Sequence, residues 1–194
     1  MLSSIHPLGE RSRHNRWGLT VLTHVVGSWT GGVVAFTAAA AVGLVLPDAA
    51  ALAAVVAVVA AGVELVAVLR GTRIPGPRRQ VNEDWLQMYR GWVYGFGFGF
   101  QLGTGLLTIV TTAATYLALA LTALADSLWA GVFVGSVFGL ARALPLLSAR
   151  GVTGPEQLRA LHARVGALAE PVRVVTTTAL VFLAVGFVVA AGVA

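Results

Sequence analysis

The chain has 194 residues, of which 57% are hydrophobic and only 11% charged, and its formal net charge is +5. A soluble domain carries about 25% charged residues, so this composition leaves too little polar surface to face water on all sides and excludes an ordinary soluble globular protein. The absence of cysteine excludes disulfides, thiol catalysis and thiolate metal sites.

All thirteen basic residues are arginines, and they fall into three groups separated by apolar runs. Short loops rich in basic residues stay on the cytoplasmic side of a membrane, so the pattern predicts that all three groups lie inside. There they are expected to contact anionic lipid headgroups, and we reject a nucleic-acid partner. The groups are Arg11, Arg13 and Arg16; then Arg70, Arg73, Arg78, Arg79 and Arg90; then Arg142, Arg150, Arg159, Arg164 and Arg173.

The first apolar run covers residues 17–46, and a second follows at 50–69. The first run is longer than the ~20 residues that a perpendicular span needs, and it has glycines at its centre. This predicts a helix that is tilted or interrupted at the glycines. His24 and Ser28 share one face of it. The second run is nearly all alanine and valine and holds one ionisable residue, Glu64.

The third run, 91–121, is also overlong and starts with alternating glycine and phenylalanine. Gln101, Thr104 and Thr108 then recur every three to four residues, which predicts a polar stripe on one helix face. Such a stripe either lines a passage for a polar solute or makes hydrogen bonds between helices. The fourth run, 127–147, carries Arg142 at the same depth as Glu64. We therefore expect an ion pair between them, or snorkelling of both to the interface.

An amphipathic pattern at 155–168 predicts a helix lying on the cytoplasmic surface, and the run 171–193 predicts a last span. The sequence thus predicts one all-α polytopic membrane domain over residues 1–194, with five transmembrane helices, of which the first and third are glycine-interrupted. Five spans that start inside place the C-terminus outside. The use of arginine alone, with abundant alanine and glycine, indicates a GC-rich bacterial genome and hence the bacterial inner membrane.

The ionisable residues are too scattered to predict a catalytic or metal centre. No second histidine or acid stands at metal-ligand spacing from His24. An intramembrane enzyme using His24 and Glu64 as base and acid would need the two within hydrogen-bond reach, and nothing in the sequence brings them together. We expect no enzymatic activity, no metal and no cofactor.

Two segments, Tyr94–Gly103 (YGFGFGFQLG) and Phe138–Leu147 (FGLARALPLL), resemble the second half of the cytochrome c biogenesis transmembrane family. This family contains the CcdA- and DsbD-like thiol-electron carriers and is related to the LysE-type transporter group. The resemblance implies a small helical bundle with a central polar passage between two pseudo-repeats. The family's paired cysteines and its first helix are missing here, so the resemblance does not imply electron transfer by thiols.

The leading interpretation is a small non-redox transporter or permease for a small polar solute or ion. In this interpretation Gln101, Thr104 and Thr108 form the polar wall of the passage. His24 and Ser28 of the first span face this wall, and Glu64 and Arg142 form an inner gate. The alternative is a non-transporting membrane subunit or assembly factor. Either protein could associate with copies of itself or with another membrane protein.

Overall fold

The computed structural model describes residues 5–45, 50–77 and 84–193, most of which are helical. By length and composition, four helical segments could cross a membrane: Trp17–Gly43, Leu52–Leu69, Leu128–Gly151 and Pro155–Gly192. The predicted all-α chain is therefore confirmed for the described residues. The helices are α1 (Pro7–Ser12), α2 (Trp17–Gly43), α3 (Ala50–Leu69), α4 (Trp85–Met88), α5 (Gly91–Gly103), α6 (Ala114–Ala123), α7 (Leu128–Leu147), α8 (Pro155–Ala167) and α9 (Ala169–Val193), with a 3-10 turn at Ser148–Gly151.

Helices α2, α5 and α7 form a close-packed group with α2 at its centre. Gly99 and Gly103 of α5 lie directly against the backbone carbonyls of His24 and Ser28, so that a Cβ at either glycine would overlap the carbonyl oxygen. Small residues allow this close approach of helix backbones. Because residue numbers rise together along both helices, α5 runs parallel to α2.

Helix α7 packs on another side of α2 and runs antiparallel to it. Gly131 lies against Thr37, and Gly135 lies against Gly32, so residue numbers on α2 fall as those on α7 rise. The beginnings of α2 and α5 and the end of α7 therefore lie together. The arginine-bearing segments next to these three points share that side, which is termed the arginine-rich end below.

Helices α3 and α9 form a second group, which α6 joins to the first. Helix α6 contacts α2, α3 and α7. The Arg173 guanidinium donates a 2.8 Å hydrogen bond to the carbonyl of Ala67, which ties the beginning of α9 to the end of α3. The core of this second group is rich in alanine and consists of Ala57, Ala60, Ala61, Ala67, Ile74, Val110, Ala113, Leu117, Leu180 and Ala184.

The predicted interruption of the first span, 17–46, is wrong, since α2 is one continuous helix from Trp17 to Gly43. Its central glycines are used for packing. A Cβ at Gly27 or Gly31 would overlap a backbone carbonyl of α5, and a Cβ at Gly32 would overlap one of α7. Residue 46, the predicted end of this span, lies outside the described residues.

The third predicted span, 91–121, is interrupted, but beyond its run of glycines and phenylalanines. Helix α5 includes that run and ends at Gly103, and α6 begins at Ala114. The non-helical residues between them, 104–113, are termed the helix break. Near its start, Gly105 has a φ of +74°, a conformation that favours glycine. Instead of five spans with two interrupted, the described residues thus contain four long apolar segments and one divided into two short helices.

The other predicted segments agree closely with the structure. Helix α3 covers 50–69, α7 begins one residue after 127, and α9 begins two residues before 171. Helix α8 lies within the predicted amphipathic segment and has no buried residue. Its start is fixed by Gln157, whose side-chain oxygen accepts hydrogen bonds from the backbone N–H groups of Thr153 and Gly154.

Candidate functional site

A buried carboxylate lies at the α6 end of the helix break. Glu64 of α3 is only 2% exposed, and its Oε2 accepts hydrogen bonds from the Ala113 backbone N–H at 2.6 Å and from the Thr112 hydroxyl at 3.0 Å. These donors stand just before the first turn of α6. Unsatisfied N–H groups and the helix dipole favour a negative charge there, so Glu64 acts as the cap of α6.

Arg142 of α7 lies near the α5 end of the helix break, at Gly105. Its guanidinium carbon lies 5.4 Å from the centroid of the Phe138 ring, a cation–π geometry. That ring packs on Gly105, where an added Cβ would lie 2.9 Å from it. The Nε of Arg142 is buried and has no hydrogen-bond partner among the described residues.

The expected ion pair between Glu64 and Arg142 is not formed. In the part of the chain that the structure describes, the ion pair present is Arg13–Glu10. The physical reason is the helix break, which lies beyond the glycines where the interruption of the third span was expected. The break supplies N–H donors for Glu64, while Arg142 packs against an aromatic ring.

Two of the predicted passage threonines lie in the helix break, and they differ in role. The Thr104 hydroxyl donates a 2.8 Å hydrogen bond to the carbonyl of Gln101 and so closes the last turn of α5. Thr108 is 8% exposed, and its buried hydroxyl has no partner among the described residues. A buried polar group normally has one, so Thr108 keeps an unused hydrogen-bonding capacity. The side chain of Gln101 is half-buried.

His24 and Ser28 are buried on the sides of α2 that pack against α5 and α7. The Ser28 hydroxyl donates a 2.7 Å hydrogen bond to the carbonyl of Gly139 in α7. The His24 ring lies beside the backbone of Gly95, and its Nδ1 is buried without a partner in the described chain. The expectation that Ser28 faces the polar stripe of the third span is thus corrected, because its hydroxyl binds α7.

A second polar cluster, at the arginine-rich end, was not expected from the sequence. Glu10 of α1 is fully buried, and the Tyr94 hydroxyl lies 2.5 and 2.6 Å from its two carboxylate oxygens. The Thr20 hydroxyl donates to the same carboxylate at 2.8 Å, and Arg13 Nη2 donates at 2.6 Å. These four residues are termed the Glu10 cluster.

The Glu10 cluster ties the N-terminal helix to the beginnings of α2 and α5. Asn15 extends it, because its side-chain amide donates to the Tyr94 hydroxyl and its side-chain oxygen accepts from the Gly91 N–H, both at 3.2 Å. Burial lowers the pKa of Arg13, but the hydrogen bonds and charge interactions with Glu10 and Tyr94 together outweigh this, so that the pKa is raised overall. The sequence does hold a signal for this cluster: Glu10 is the one acid in an N-terminal segment otherwise charged by arginine.

No family model, no curated protein and no solved structure matches the chain. The resemblance to the cytochrome c biogenesis transmembrane family therefore rests on its two short motifs. The geometry of the helix break is the main basis for assigning a function.

Proposed function

We propose that the protein is a small non-redox membrane transporter or permease that moves a small polar solute or ion past the helix break. The observation that carries the proposal is the break itself, non-helical backbone at 104–113 between two apolar helices. Within a bilayer, irregular backbone is tolerated only where it is buried in protein or lines a water-filled cavity. Discontinuous helices of this kind form the solute sites of many transporters.

The polar groups around the helix break suit such a solute. Glu64 lies at one end and Arg142 near the other, and the Thr108 hydroxyl lies within it. An ionisable group at the centre of a membrane helix costs about 3 kcal/mol on insertion scales, which supports a functional reason for keeping two of them. The passage proposed here runs between the two helix groups. These groups interleave along the chain and do not correspond to its two halves.

For the orientation, we propose that the arginine-rich end faces the cytoplasm of a bacterium and that α5 and α6 together make the third of five crossings. The N-terminus is then inside and the C-terminus outside. The positive-inside rule supports this arrangement. It is also supported by the parallel packing of α5 on α2 and the antiparallel packing of α7, which collect three arginine-bearing segments at one end.

A flux assay with a matched pair of threonine variants tests the proposal. Proteoliposomes are assayed with Na⁺, K⁺, chloride, phosphate and small amino acids, and empty liposomes serve as the blank. For any solute that the protein moves, we expect Thr108→Val to reduce the flux severalfold, because the hydroxyl available to the solute is removed. Thr30→Val is the control, since its hydroxyl is exposed and bonds within its own helix at 2.8 Å. Equal flux in the two variants, or no flux above the blank, would contradict the proposal.

A second candidate function is a non-transporting membrane subunit, and the exposed surface of α9 favours it. Leu180 and Ala184 of this helix are buried, whereas Val174, Val175 and Phe182, the last of them 73% exposed, face outwards. Lipid or another membrane protein would cover this surface. Purification in a mild detergent separates the two functions: a stoichiometric partner protein supports the subunit, and an isolated protein that is active in liposomes supports the transporter.

A further inference from the structure

A cavity of about 410 Å³ opens at the arginine-rich end, at the opposite end of α5 from the helix break. It is shaped by three pieces of the chain: the connection between α1 and α2, the short helix α4, and the connection from α4 to α5. Its lining residues are Arg13, Asn15, Leu86, Gln87, Met88, Tyr89 and Arg90. It is separate from the helix break, although it shares Arg13 and Asn15 with the Glu10 cluster and its extension, and what it binds does not depend on the proposed transport.

The polar part of this lining consists of cationic and amide groups. Arg13 and Arg90 supply two guanidinium groups, and Asn15 and Gln87 supply amides, whereas no carboxylate of the described residues lines the cavity. Glu10 holds Arg13 in place through one of its nitrogens at 2.6 Å. Arg90 forms no ion pair within the described residues. The positive end of the α5 dipole, directly after Arg90, adds to the field.

Two guanidinium groups beside amide donors suit the several oxygens of a phosphate group. The planar fork of a guanidinium presents paired N–H donors to phosphate oxygens. We propose that this cavity binds the phosphate of a phosphate-bearing anion, taken from the headgroup of an anionic phospholipid or from a soluble phosphate compound. This assigns a ligand site to one set of residues, beyond the general attraction of an arginine-rich end for anionic lipid.

The apolar part of the lining favours the lipid as the source. Met88 is 70% exposed and Tyr89 is 45% exposed, and both line the same cavity as the two arginines, as does Leu86. Apolar side chains beside basic ones are the pattern expected where acyl chains meet headgroups at a membrane surface. A soluble phosphate would leave these side chains in water.

Lipid binding to the purified full-length chain tests the proposal. In a neutral detergent, thermal unfolding is followed by tryptophan fluorescence with added phosphatidylglycerol, phosphatidylcholine, glycerol 3-phosphate or inorganic phosphate, and bound lipid is counted by native mass spectrometry. Arg90→Gln is the test variant, because Arg90 is exposed and its loss should not disturb folding. Arg159→Gln is the control, an equal loss of charge at an exposed arginine on α8 outside the cavity.

We expect phosphatidylglycerol to raise the unfolding temperature and phosphatidylcholine to have little effect. Arg90→Gln should weaken phosphatidylglycerol binding by about fivefold or more, the effect of one basic residue at an anionic surface, and Arg159→Gln should leave it near the wild-type value. If glycerol 3-phosphate or inorganic phosphate binds equally well, with the same dependence on Arg90, the phosphate site is supported and its ligand is a soluble phosphate compound. Equal effects of the two lipids without any phosphate effect, or equal losses in the two variants, would overturn the proposal.

Discussion

Glu10 and Glu64 are two buried carboxylates that the fold satisfies in different ways. Glu10 is held by side chains, with Tyr94, Thr20 and Arg13 all donating to it. Glu64 is held mainly by the backbone at the start of α6. A buried charge whose partner is removed costs more than the net worth of the hydrogen bond, because the remaining group stays desolvated. Substitution of a partner is therefore the sharpest test at the residue scale.

For the Glu10 cluster we expect Tyr94→Phe to lower the free energy of unfolding by about 1.5–3 kcal/mol, the usual range for a hydrogen bond to a charged group. The phenol ring is retained, so the loss reports the hydroxyl alone. Thermal unfolding in detergent measures it, and Tyr89→Phe is the control, because Tyr89 is 45% exposed. A Tyr94→Phe protein as stable as that control would show that the cluster contributes little to stability.

At the scale of elements, glycines set how closely α2 approaches its neighbours. Gly99 and Gly103 meet α2 from one side, and Gly135 and Gly139 meet it from another. Without a strong hydrophobic force between helices in lipid, such close packing is a main source of association. An added methyl group at these points has no room, because the atoms that it meets belong to backbone.

We accordingly expect Gly99→Ala to destabilise the protein by about 1–3 kcal/mol, the usual cost of overpacking. A Cβ there would overlap the carbonyl of His24 and lie 2.9 Å from the Ser28 nitrogen. Gly62→Ala is the matched control on α3, where nothing lies within 4 Å of the added atom. Unfolding in detergent is the measurement, and the idea fails if the two variants lose stability to the same extent.

The sequence predicts the number and limits of the apolar segments well, because length and hydropathy decide them. It does not show what the glycines do. The same signal, glycine at the centre of an overlong run, precedes a break after Gly103 but accompanies an unbroken helix around Gly31. Both glycines pack on the backbone of the other helix, Gly31 on Phe100 and Gly103 on Ser28, and such contacts between segments far apart in the chain are not visible in the sequence. The hydrogen bonds of Glu64 depend on the break and were missed for the same reason.

At the scale of the whole molecule, the two helix groups differ in how much of their surface the protein itself covers. The close-packed group buries its central helix on two sides, whereas α9 leaves most of its apolar surface open. Both groups are consistent with a bilayer as the surrounding medium, because lipid covers exposed apolar side chains. The absence of cysteine allows the orientation of the two ends to be tested with single introduced cysteines.

We expect a single cysteine introduced at Ala125 to react with a membrane-impermeant maleimide in intact cells, and one at Ser148 to react only after the membrane is opened. Both positions are exposed and lie at opposite ends of α7, and the wild-type chain without cysteine is the blank. The reason is the positive-inside rule applied to the arginine-rich end. The reverse labelling pattern would contradict the proposed orientation.

The bond from Ser28 to Gly139 joins residues 111 positions apart, and this has a consequence for biosynthesis. At ~5–20 residues per second, a ribosome needs roughly 5–20 seconds after making Ser28 before its acceptor exists. Until then, the glycine face of α2 that packs on α7 has no partner. Slowed translation would lengthen this period, in which the nascent chain is open to wrong pairing or proteolysis.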